Sequence, residues 1–141
     1  MSNQKTILII DDDTNLIEAL AARCRKIGLQ VETARNLLTA VVIMDRKLPD
    51  LLCVDINMPT GNGLNFCEML SLDENTSKIP VIVLSGQKDP DTLLRCQNLC
   101  AYYVHKSNDV WRSMEPVIYE LIDIEPSNAA LTAQEPNSQS L

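Results

Sequence analysis

The chain has 141 residues, 45% of them hydrophobic, with 12 Lys and Arg against 19 Asp and Glu for a net charge of −7. That length suits a single domain that buries a core without staples, and the acidic balance argues against the basic face that nucleic acid requires. No apolar stretch approaches membrane-spanning length and no leader-like apolar region precedes Ile7, so neither secretion nor a membrane anchor is expected. The five cysteines, Cys24, Cys53, Cys67, Cys96 and Cys100, are an odd set in helix-like and strand-like segments. They are expected to be small core residues in a reducing cytoplasm. Cys96 and Cys100 lack further ligands at zinc-finger spacing.

Ile7 to Ile10 is an apolar run closed by Asp11-Asp12-Asp13 and reads as a buried strand. Thr14 or Asp13 then caps a helix with Leu16, Ile17, Leu20, Cys24 and Ile27 at helical spacing, stopped by Gly28. Leu29 to Thr33 reads as a short strand. Asn36 caps a second helix bearing Leu37, Ala40, Val41, Met44 and Leu48, ended by Pro49-Asp50. The apolar run Leu51 to Val54 is a third strand, closed by Asp55. Gly61-Asn62-Gly63 breaks the chain before a third helix carrying Leu64, Cys67 and Leu70. Pro80 introduces a fourth strand, Val81 to Leu84, which runs out at Ser85-Gly86. Asp89-Pro90 is a good helix start, with Leu93, Leu94 and Leu99 expected on the inner side. Tyr102 to His105 makes a fifth strand, and Trp111, Met114, Val117, Ile118, Leu121 and Ile122 mark a last helix. Strand and helix thus alternate five times with short connections, which predicts a parallel sheet covered on both faces. Residues 1–124 form that one domain, and the polar stretch from Glu125 to Leu141 is expected to be a flexible tail or the start of a linker.

Buried parallel strands share a direction, so Asp11, Asp12 and Asp55 emerge at one end of the sheet, the edge where ligands of open α/β sheets sit. Carboxylates gathered there repel by roughly 4 kcal/mol per pair at about 4 Å and an effective dielectric near 20. A divalent cation is therefore expected among them, with Asp13 left as a helix cap.

The acidic pair after strand one, the spacing of Asp55, Pro59 and Gly63, the serine Ser85 closing strand four and Lys106 after strand five together resemble the receiver domain of two-component response regulators. The resemblance runs from Lys5 to Asp123 and includes the chemotaxis regulators. It implies a flavodoxin-like doubly wound sheet of order 2-1-3-4-5. It also implies a phosphoacceptor, not an enzyme with a turnover substrate. Asp55 would take a phosphoryl group from a histidine kinase or histidine phosphotransfer protein, with Mg²⁺ as cofactor. By the same resemblance Asp12 and Asp55 offer side-chain oxygens to the metal, Asn57 its backbone carbonyl, and Asp11 a contact through water. Lys106 and Ser85 would meet phosphoryl oxygens, Gly86 would present its amide, and Asn57 and Gln87 stand where the family varies its rate of phosphate loss. Ser85 and Tyr103 correspond to the switch pair that remodels the face of the fourth helix, fifth strand and fifth helix. An unknown protein target would dock there, and a homodimer is a further expected partner.

Three departures fall on or near that face. Ser107 follows Lys106 where the family has a cis proline, so the bond is expected to be trans. Leu99 stands where a glycine commonly precedes the last strand, and Pro116 lies inside the last helix. These motivate an alternative, a pseudo-receiver serving as a constitutive interaction module. A phosphohydrolase with an aspartyl nucleophile is a further alternative, although Asn57 occupies the place where such enzymes want a second acid. His105, in a strand, is not a phosphotransfer histidine, and Trp111 is expected in the core.

Overall fold

The computed structural model describes residues 4–124, so the expectation for the polar segment from Glu125 onward lies outside the described residues. Five parallel strands, β1 (Thr6–Ile10), β2 (Gln30–Ala34), β3 (Leu51–Asp55), β4 (Val81–Ser85) and β5 (Tyr102–His105), pair in the order β2-β1-β3-β4-β5. Five helices connect or follow them: α1 (Thr14–Lys26), α2 (Leu37–Arg46), α3 (Gly63–Ser71), α4 (Pro90–Asn98) and α5 (Val110–Leu121). Every residue of β1 and β3 is buried, because these central strands are covered on both sides. Alternation along the strands splits the core. Leu8, Ile10, Leu52 and Val54 pack with α2, α3 and α4, whereas Ile7, Ile9, Leu51 and Cys53 pack with α1 and α5. This is the doubly wound arrangement that the alternating sequence pattern predicts.

Side chains cap α1, α2 and α4 where the sequence places them, α3 is capped by Asn62, expected only as part of a break, and α5 has no side-chain cap. Asp13 accepts from Leu16 N, Asn36 from Thr39 N, Asn62 from Leu64 N and Asn65 N, and Asp89 from Thr92 N, each cap contributing about 1 kcal/mol. α1 ends at Lys26 and the chain turns away at Gly28, whose φ of 104° belongs to the region glycine tolerates. Among the described residues no helix is long and apolar enough to cross a membrane.

The structure corrects four details. β2 begins one residue later than expected, at Gln30. α2 stops at Arg46, leaving Leu48 outside it, and this edge helix buries only Ala40 and Met44, so Val41 is exposed. Cys100 is exposed while the other four cysteines are buried. Leu93 and Leu94 face solvent, at 43% and 54% exposure, and only Cys96 of α4 is fully buried.

The α4 correction follows from helical phase, since Leu93 and Leu94 lie off the stripe that faces the sheet. Both oxygens of Asp89 hold Thr92, by its amide and its hydroxyl. Arg95 is held by Glu68 and Asn65 of α3. These bonds accompany a rotation of α4 that puts Thr92, Arg95, Cys96 and Leu99, at i, i+3, i+4 and i+7, inward and the two leucines outward. Leu99 packs against the core as expected, and the turn that lacks a glycine is made one residue later. Cys100 takes φ 56°, a left-handed conformation that costs a residue with a Cβ about 1 kcal/mol. α5 continues through Pro116, with Met114 and Ile118 fully buried and Trp111 packed against the core beside them.

Candidate functional site

The strand register brings the acidic residues together. Ile10 lies opposite Val54 and Asp55 opposite Leu84, so Asp11, Asp55 and Ser85 leave adjacent strands at one level, and Lys106 follows the β5 residue paired with Ser85. Asp11 is fully buried, Asp55 nearly so, and Asp12 is exposed at the rim. Carboxylate oxygens of all three lie within 4.8 Å of one another. Lys106 Nζ reaches back to 2.8 Å from Asp11 Oδ2 and 3.2 Å from Asp55 Oδ2. The link between Lys106 and Ser107 is trans, since the described residues contain no cis peptide.

Asp11 and Asp55 are each steadied from behind. Asp11 Oδ1 accepts from Asp13 N at 3.0 Å, and Asp55 Oδ1 from Asn57 N at 3.3 Å. Asp11 Oδ2 is met by the Lys106 ammonium and by no neutral donor among the described residues. Three carboxylates against one ammonium leave an excess of negative charge, and their oxygens are a donor set that fits a small hard dication such as Mg²⁺. Asp12 also borders an open recess of about 550 Å³, lined by Asn57, Met58, Pro59, Gly61 and Asn62.

Burial pushes the Asp55 carboxyl above its ordinary value of 3.8, the charge of Asp11 adds to this, and Lys106 opposes it. For Lys106, desolvation pulls downward, but its contact with Asp11 and the charges of both carboxylates outweigh this and hold it above 10.5. A raised folded pKa means that the proton on Asp55 stabilises the fold fully below the ordinary carboxylate range, and that this contribution is lost as pH rises through the folded value. At neutral pH an ionised Asp55 therefore works against folding. In chelator, Asp55→Asn is expected to raise the thermal midpoint at neutral pH and to lose that advantage in acid. A lowered midpoint at neutral pH, or an equal gain at both, would contradict the reading.

The expected switch residues meet at one carbonyl. Ser85 Oγ donates to Gln87 O at 2.9 Å and accepts from Gln87 N at 3.0 Å, and the Tyr103 hydroxyl donates to the same Gln87 carbonyl. Gly86 lies between, and a Cβ there would meet nothing within 4 Å. Ser85 and Tyr103 are thus joined through a backbone oxygen that sequence reasoning did not name. No residue pattern announces a carbonyl.

A family model, the response regulator receiver domain, matches residues 7–113. The chain belongs to that family. Among curated relatives of this receiver, PilH of Pseudomonas aeruginosa is 38% identical over 86 residues, covering 61% of this chain and 70% of that one. The phosphate regulon transcriptional regulatory protein PhoB of the same organism is 36% identical over 92 residues, covering 64% of this chain and 40% of PhoB. The receiver spans 13% to 40% of the length of four of the curated relatives it matches, PhoB among them, against 70% of PilH. Among solved structures, TrrA from Thermotoga maritima, in complex with Mg²⁺ and beryllofluoride, superposes with a TM-score of 0.74 at 24% identity, over 84% of this chain and all of that one. That likeness speaks for the fold.

Proposed function

We propose that this receiver accepts a phosphoryl group on Asp55 and signals by a change of conformation. The single observation that carries the reading is the placement of the Lys106 ammonium 2.8 and 3.2 Å from two buried carboxylates, with a third completing the cluster. An Asp55 oxygen attacks phosphorus, the P–N bond of a phosphohistidine breaks, and its electron pair returns to the imidazole, which takes up a proton. The transition state is loose, so the chain's task is to position the donor and balance charge on the equatorial oxygens. Lys106 neutralises one oxygen. Ser85, released from Gln87, donates its hydroxyl to another, and Gly86, with no side chain, would present its amide to the phosphoryl group. Asp12, Asp55 and the Asn57 carbonyl would hold Mg²⁺ directly and Asp11 through water. When bound, that ion offsets the carboxylate charge and polarises the transferring group.

Freeing Ser85 leaves the Gln87 carbonyl to Tyr103 alone, which couples the new charge to α4 and β5. The α4–β5–α5 face, with Leu93, Leu94 and Tyr102 exposed, then presents its apolar side chains to a protein target or a second copy. The donor is a histidine kinase or phosphotransfer protein of the cytoplasm. The trans link after Lys106, which motivates a pseudo-receiver, leaves the ammonium against both carboxylates and so supports phosphoryl acceptance instead. Incubation with acetyl phosphate and Mg²⁺ tests the proposal by intact mass. One added phosphoryl group is expected, lost in Asp55→Asn, and no gain, or a gain that survives the substitution, overturns it.

A further inference from the structure

His105 makes a contact that the roles above do not use. It ends β5, half-buried, opposite Ser85 in register, and its Nδ1 lies 3.1 Å from the carbonyl oxygen of Lys106. A carbonyl oxygen only accepts, so Nδ1 carries the proton. Lys106 is held on its other side by its own amide, which donates to Ser85 O at 2.7 Å. Beyond it the chain leaves the sheet. No main-chain donor reaches the Lys106 carbonyl among the described residues, and the next tie, Asp109 N to Ser107 Oγ, is long at 3.4 Å.

From this geometry we infer that His105 is a positioning residue: its imidazole N–H anchors the Lys106 carbonyl, fixes the lysine backbone from both sides and keeps the ammonium aimed at Asp11 and Asp55. The following residue, Ser107, has no ring to stiffen the link, so the restraint comes from the preceding side chain. A lysine side chain has four rotatable bonds beyond its Cα, and any drift of the main chain is passed to the ammonium. The consequence for phosphoryl acceptance rests on the proposed function; the positioning itself does not.

Three substitutions separate the donor from the ring. His105→Asn keeps an N–H near the place of Nδ1, His105→Gln moves it to the place of Nε2, and His105→Phe keeps the ring without a donor. The first readout is the beryllofluoride needed for half-saturation with Mg²⁺, followed by fluorine NMR. The second, in chelator, is the Lys106 ammonium signal, protected from exchange only while held against the carboxylates. The Phe and Gln variants are expected to need about fivefold more beryllofluoride, the worth of about one hydrogen bond, and to lose the ammonium signal, while the Asn variant stays within about twofold of the parent. A Phe variant indistinguishable from the parent, or an Asn variant as impaired as Phe, overturns the inference. Should the Phe variant fail to fold, the contrast between Asn and Gln decides. Should the parent bind no beryllofluoride, the phosphoacceptor reading falls, and the ammonium signal alone still supports or overturns the positioning role.

Discussion

Replacing Lys106 by methionine is expected to slow phosphorylation of Asp55 by acetyl phosphate about 100- to 1,000-fold, the usual worth of one positioned donor at developing charge, and at the same time to tighten Mg²⁺ binding. The two effects have opposite signs because the ammonium serves two partners. In the metal-free protein it is the cation against Asp11 and Asp55, at 2.8 and 3.2 Å, and it competes with any metal for them. Once it is gone, two buried carboxylates face each other without a counter-charge. The metal-free fold should then lose about 2 kcal/mol, below the 3 to 5 kcal/mol typical of a broken buried pair, because the Lys106 side chain is 24% exposed and the site is partly solvated. Saturating Mg²⁺ should restore most of that loss. Calorimetric Mg²⁺ titration, acetyl phosphate kinetics and denaturant melts with and without metal check the three parts. An unchanged phosphorylation rate, or weaker Mg²⁺ binding, would show that Lys106 does not act at this site.

Gly63→Ala is expected to destabilise the fold by about 3 kcal/mol or more and to impair Asp55 in the molecules that do fold. A Cβ at Gly63 would stand 2.3 Å from the backbone oxygen of Asp55 and 3.0 Å from both its carbonyl carbon and Val54 Cγ2. Those atoms belong to β3, fully buried at the centre of the sheet, and cannot move aside as a flexible side chain would. The close approach is imposed by the chain path. Gly63 N donates to Ile56 O at 2.9 Å while Asn62 caps α3, so the first turn of the helix is drawn directly over the strand end that carries the acceptor. Gly86→Ala is the matched control. Its Cβ would meet open space, and stability should stay within about 0.5 kcal/mol of the parent. Denaturant melts of the two variants check the contrast. Equal stability of both would mean that the path between Asp55 and α3 is softer than this geometry implies.

The glycine in the spacing of Asp55, Pro59 and Gly63 is legible as a motif, but its reason is not. A sequence shows that a glycine stands eight positions after an aspartate. Only the packing of α3 on β3 shows which backbone atom it must clear. The same division runs through the rest of the site. Asp11, Asp12, Asp55 and Lys106 were readable because each lies at or just beyond the end of a strand, and parallel strands deliver their ends to one edge whatever covers their faces. Ser85 was readable on the same ground, although its partner was not, since a hydroxyl bonded to a carbonyl two residues on leaves no trace in composition. α4 misled for a related reason. Leu93, Leu94 and Leu99 invite an inner-face reading by their apolarity, but at i, i+1 and i+6 they do not share one stripe. The stripe that turns inward includes Thr92 and Arg95, with Arg95 bonded to Glu68 and Asn65, residues far away in the chain.

By itself, the sequence determined the alternation of strands and helices, the caps, and the edge at which the charged residues gather, because these depend on local periodicity and on the direction of parallel strands. The tertiary structure alone decided the rotation of α4, the left-handed turn at Cys100, the meeting of Ser85 and Tyr103 on one carbonyl and the grip of His105 on Lys106. Those features depend on distances and angles between groups that take their places only after the elements have packed, and such contacts have no periodic signature along the chain.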